Sequence, residues 1–156
     1  MSKLETTLFI VALMLVIGCG WLAIFLHVRS RLSAARDSRI EVFGEGARIP
    51  LVAAFSGWKG IPWLCWSSSD LKPTLVLHAD HIECRVLRTR RKPYDAVSRV
   101  DYRQTAGTTN IVLEFSDSVS SFVGNTANRD LARDAIQRLA RMGCPLSPRS
   151  RALIDG

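Results

Sequence analysis

The densest set of side chains able to hold an ion or drive a reaction is His78, Asp80, His81, Glu83 and Cys84. Imidazoles, carboxylates and a thiol are the donor types that take a transition metal, and at least three must converge to make a site. Strand alternation argues against convergence here, because it turns Cys84 to the core side while His81 and Glu83 point the other way. No metal and no other cofactor is expected. Nucleophilic catalysis lacks its supports as well. The chain has no Gly-x-Ser-x-Gly and no phosphate-binding glycine loop, and Ser67 to Ser69 read as a polar loop. Tyr94 and Tyr102 flank basic residues and have the shape to stack on a ligand, but Tyr94, directly after Pro93, reads as a packing residue. The expectation is a non-enzymatic protein.

Charge is the stronger signal. The 156 residues carry 21 Lys and Arg against 14 Asp and Glu, for a net +7. Between Arg85 and Arg103 lie seven basic residues and two acidic ones, Asp95 and Asp101, which is a net +5 and the densest basic segment. Arg88, Arg90, Arg91, Lys92, Arg99 and Arg103 are therefore the expected ligand-binding residues, docking on anionic lipid headgroups or an acidic partner. Each exposed cation near an anionic leaflet contributes ~1 kcal/mol. Nucleic acid is not expected, because no binding motif accompanies the charge. The plainer alternative is that these arginines only keep one side of a sheet solvated.

The elements that position this charge begin with Thr7 to Val28, TLFIVALMLVIGCGWLAIFLHV, which holds no Asp, Glu, Lys or Arg. At 1.5 Å per residue that run can cross a bilayer core of ~30 Å, so a transmembrane helix is expected over about 7–28. Arg29, Arg31, Arg36 and Arg39 follow it, which predicts an N-out, C-in single pass in the inner membrane with a cytoplasmic C-terminal domain. Trp21, Arg29 and Arg31 would mark the membrane interface. Two further readings stay open for this stretch: cleavage as a secretory signal, and lipidation at Cys19, since Val16 to Cys19 resembles a lipoprotein box. Residues 29–48 read as a basic juxtamembrane linker.

Ile49 to Trp66 is nearly uncharged and contains Trp58, Trp63 and Trp66. The preferred reading is one or two opening strands with core tryptophans. The alternatives are tryptophans at headgroup depth and a second span broken by Pro50, Gly57, Gly60 and Pro62. From Leu71 the period becomes two: Leu75 and Leu77 share one side, then Ile82, Cys84 and Val86, predicting a hairpin that turns at Ala79 and Asp80. Pro93 marks a break before a less regular Tyr94 to Tyr102. Asn110 to Phe115 predicts a strand with Ile111, Leu113 and Phe115 inward and Val112 and Glu114 outward, and Val119 to Val123 the next. Leu131, Ala132, Ala135, Ile136, Leu139 and Met142 then form one helical stripe, with Asn125, Thr126 or Asn128 as cap and Gly143 and Pro145 as stop. Residues 144–156 read as a polar, mobile tail. The four cysteines have no Cys-x-x-Cys spacing and suggest reduced thiols.

The succession LKPTLVLHADHIECRVL, RRKPYDAVSRVDY and TNIVLEFSDSVSSFVGN, closed by an amphipathic helix, resembles the bacterial pleckstrin-homology-like domains found behind transmembrane segments. The resemblance covers about Leu71 to Met142, and Asp80-His81 stands where the family has an Asp-Gly turn. It implies a membrane-anchored α+β fold: one N-terminal transmembrane helix, then an antiparallel sheet or partial barrel over 49–143, capped by a C-terminal amphipathic helix over about 127–142. It also implies a binding or scaffolding module for membrane lipids or proteins. A second function reading is an accessory subunit that contacts another membrane protein through the span, where Gly18 and Gly20 permit close helix approach, and through the tryptophan-rich segment.

Overall fold

A computed structural model of the chain describes the backbone of residues 3–36, 39–44, 46–69, 72–105 and 108–156. Within these, it describes all side chains except those of residues 3–8, 11, 27–29, 31–36, 61–69, 105 and 108. The chain divides into two units, Met1–Ala34 and Ala35–Gly156.

The first unit is one helix, α1 (Lys3–Arg36). Among the described residues, no helix is long and apolar enough to cross a membrane. This corrects four expectations: the transmembrane helix at 7–28, the single pass, the N-out/C-in inner-membrane location and the membrane-anchored fold class. Trp21, expected at an interface, is 70% exposed. The side chains of Arg29 and Arg31 lie outside the described residues.

Among its described residues the second unit holds two antiparallel sheets of ten strands in all, where the sequence suggested about five, and two α-helices. The strands are β1 (Glu41–Phe43), β2 (Gly46–Ile49), β3 (Ala53–Trp58), β4 (Ile61–Ser69), β5 (Thr74–Leu77), β6 (His81–Arg85), β7 (Thr89–Pro93), β8 (Val97–Thr105), β9 (Thr108–Phe115) and β10 (Ser120–Thr126). The first sheet runs β1-β2-β5-β6-β7 and the second β4-β3-β10-β9-β8. The stretch expected to be a linker thus supplies strands β1 and β2.

Alternation builds the core. On the first sheet Ile49, Leu75, Leu77, Ile82 and Cys84 turn inward, and the register Leu75↔Cys84 and Leu77↔Ile82 closes the hairpin where the period of two placed it. On the second sheet Val100, Ile111, Leu113, Phe115 and Phe122 meet them. Val112 and Glu114, expected to face outward into solvent, are buried too. Glu114 is covered because the β3–β4 turn folds over it: the Gly60 N–H donates to its Oε1 at 3.0 Å, and Lys59 Nζ donates to the Phe115 carbonyl at 3.1 Å. Gly60 takes φ +80°, a left-handed conformation that a side chain would strain. Trp58 at the end of β3 is 59% exposed rather than in the core, and Trp63 and Trp66 lie outside the described side chains.

Helix α2 (Arg129–Arg141) buries Leu131, Ala132, Ala135, Ile136 and Leu139, the predicted stripe, while Met142 stays partly exposed. Of the three candidate caps it is Asn128 that serves, its Oδ1 accepting from the Leu131 N–H at 2.7 Å. Gly143, at φ +83°, ends the helix. The expected mobile tail is instead helix α3 (Pro148–Asp155), which buries Ser150 and Leu153. Its approach segment covers the free edge of β8. Val100 N–H donates to the Pro145 carbonyl at 2.7 Å, Ser147 N–H to the Val100 carbonyl at 2.9 Å, and Leu146 bridges Val100 in parallel.

Candidate anion-binding cleft

The six basic residues singled out from the sequence do not share one face. Tyr94 to Tyr102, expected to be irregular, is a short 3-10 turn (Tyr94–Ala96) followed by regular β8, so Arg99 and Arg103 sit on the second sheet and the other four at the edge of the first. On β8 both flank Asp101, a carboxylate 3% exposed: Arg99 Nη2 lies 3.8 Å and Arg103 Nε 3.7 Å from its Oδ2. Ser147 Oγ donates to Asp101 Oδ1 at 2.5 Å. These two arginines neutralise a buried charge, since a carboxylate removed from water requires such partners.

Strand β7 is a free edge of the first sheet, and its alternation divides the remaining cations. Arg91 points to the outer face, where its Nε donates to Glu83 Oε2 at 3.0 Å. Lys92 ion-pairs with Asp117 in the β9–β10 turn, and its ammonium holds the Asp117 carboxyl below its usual range. Arg90 reaches Ser120, its Nη1 donating to Oγ at 3.2 Å. Arg88 lies in the bend between β6 and β7. Among the described residues neither Arg88 nor Arg90 has a carboxylate at ion-pairing distance.

Those two arginines stand at the mouth of a cleft of about 340 Å³ between the edge of the first sheet and strands β3 and β10 of the second. Its apolar wall is Cys84, Val86, Phe115 and Phe122, with the exposed Leu87 at the rim. Its polar wall is the hydroxyls of Ser56 and Ser120; the register of Ser121 with Glu114 turns the Ser121 side chain to the other face of the sheet. Burial against the apolar wall pushes the Cys84 thiol up to about 11, so it is no nucleophile near neutrality. A guanidinium pair over an apolar floor with hydroxyl donors suits a ligand with an anionic head and an apolar body.

A second, more open groove of about 460 Å³ gathers Arg103 with Arg129 and Arg149 between β8 and the two C-terminal helices. The sequence pointed to Arg103 there but not to Arg129 and Arg149, which belong to other segments and meet only through the fold. Tyr94 does pack, as expected: its Oη donates to the His78 carbonyl at 2.6 Å, and desolvation raises its phenol to about 12. The hydroxyls of Ser56 and Ser120 carried no signal in the sequence beyond membership of a strand.

No protein-family model matches this chain, and no curated protein matches it either. The antiparallel sheets with a covering helix are observed, but nothing identifies them as a pleckstrin-homology fold.

Proposed function

We propose that the Ala35–Gly156 unit is a non-enzymatic binding module for anionic lipids, taking the headgroup between Arg88 and Arg90 and apolar parts of the ligand against the cleft wall. The observation that carries this reading is the contrast in charge compensation. Four of the six basic residues expected to bind are matched by carboxylates among the described residues, and the other two, Arg88 and Arg90, line one cleft with an apolar wall and the hydroxyls of Ser56 and Ser120. The reading of an accessory subunit docked through a membrane span loses its support with the span.

Flotation of the full-length chain with anionic and with neutral vesicles, each at low and high salt, tests the proposal. Retention is expected on anionic vesicles, fading as the screening length falls from ~10 Å at 0.1 M to ~3 Å at 1 M. It should be lost in the Arg88→Gln/Arg90→Gln variant. Retention unchanged in that variant would sink the cleft reading, and its loss in Arg103→Gln/Arg149→Gln instead would move the site to the open groove.

A further inference from the structure

The two faces of β6 differ. Cys84 lines the cleft, while His81 and Glu83 point to the opposite side of the sheet, as alternation requires. Alternation cannot place His78, which precedes the turn, and the structure brings it across to them. The hairpin closes with His78 N–H donating to the His81 carbonyl at 2.9 Å, and Tyr94 Oη fixes the His78 carbonyl from behind. The two imidazoles then lie stacked, centroids 4.4 Å apart and planes 12° apart, with Phe43 edge-on to His78 at 6.1 Å. One donor atom each from His78, His81 and Glu83 falls within 4.8 Å of the others, and all three residues are half-buried.

The groups around this triplet have the form that supports metal ligands. His81 Nδ1 is 2.6 Å from Asp80 Oδ1, an arrangement in which Nδ1–H donates to the carboxylate and the Nε2 lone pair is left for an ion. Arg91 donates to Glu83 Oε2, which leaves Oε1 open. Donors around a tetrahedral zinc at 2.0–2.1 Å stand ~3.3 Å apart, and an imidazole ligates along its ring plane, so closing the triplet requires shifts of about 1 Å together with rotation of the two rings out of their parallel stack.

From this geometry we infer a divalent transition-metal site of the zinc class at the β5–β6 turn. Its ligands are His78, His81 and Glu83, with Asp80 as the positioning residue for His81 and the fourth position open to water. Two imidazole nitrogens and one carboxylate oxygen favour zinc over calcium or magnesium, which take oxygen ligands. An ion there ties the turn to β6 on the face away from the cleft, so it is separable from lipid binding.

The test uses the full-length chain without a polyhistidine tag, stripped with a chelator and titrated with Zn²⁺ against a chromophoric competitor. X-ray absorption then reads the ligand atoms. One equivalent bound through nitrogen and oxygen only is expected, with affinity falling at least about tenfold in His78→Ala/His81→Ala and about 10–100-fold in Asp80→Asn. No bound zinc, sulfur in the coordination shell, or unchanged affinity in the double variant would overturn the site. Should the double variant fail to fold by circular dichroism, Glu83→Gln, which keeps the side chain's shape, decides: a tenfold loss upholds the site and unchanged affinity ends it.

Discussion

Arg90 and Arg103 belong to the same basic segment, yet they do opposite work. Arg103 on β8 stands beside a buried carboxylate and offsets its charge, while Arg90 at the β7 edge meets, among the described residues, a serine hydroxyl and no carboxylate, and faces an open cleft. The difference lies in what the fold sets opposite each side chain. A cation facing a desolvated anion is committed to stability, and one facing neutral donors is left for a ligand.

The comparison can be broken at its structural half first. Asp101→Ala removes the carboxylate that Arg99, Arg103 and Ser147 share, and we expect a loss of ~3 kcal/mol in urea unfolding, whereas Arg88→Gln/Arg90→Gln should change stability by less than ~0.5 kcal/mol. Equal losses would erase the distinction. It can be sharpened next through Cys84 on the cleft wall. With the thiol at about 11 against an ordinary 9.0, its thiolate fraction at pH 8 is ~100-fold lower than that of an unperturbed cysteine. Alkylation of the native chain, followed by peptide mass spectrometry, should therefore label Cys84 ~100-fold slower than a free thiol, and labelling should accelerate as pH rises toward 11. Rapid reaction at pH 8 would mean that the apolar wall is wet. The smallest effect belongs to Ser147→Ala, which removes both the α3 cap and a hydrogen bond to Asp101 and should cost ~1–2 kcal/mol; no change would mean that α3 docks through Leu153 alone.

What the sequence disclosed was periodicity. The β5–β6 hairpin and the α2 stripe were legible because their apolar positions repeat over enough residues to set a phase. Helix α3 was not, since it buries only Ser150 and Leu153, although Ser147 followed by Pro148 is a cap and first-turn signature that marks it. Strand β8 looked irregular because its outward position Asp101 is buried under Ser147, and Glu114 looked solvent-facing because the distant β3–β4 turn covers it. The apolar run 7–28 gave a helix, but residue type alone did not establish a span. For the candidate site the sequence supplied the charge count. Which arginines are already spoken for depends on Asp101, Asp117 and Glu83, and those pairings are tertiary.

The covered edge of β8 also has a bearing on time. Val100 is synthesised 46 residues before Leu146, the residue that bridges it, and at 5–20 residues per second that interval is roughly 2–9 s. Throughout it, β8 presents a row of unpaired amides and carbonyls to any neighbouring chain, the template from which edge-to-edge aggregation starts. The short C-terminal segment therefore ends an interval of vulnerability in each nascent molecule, and a polypeptide cut after Gly143 would never leave it.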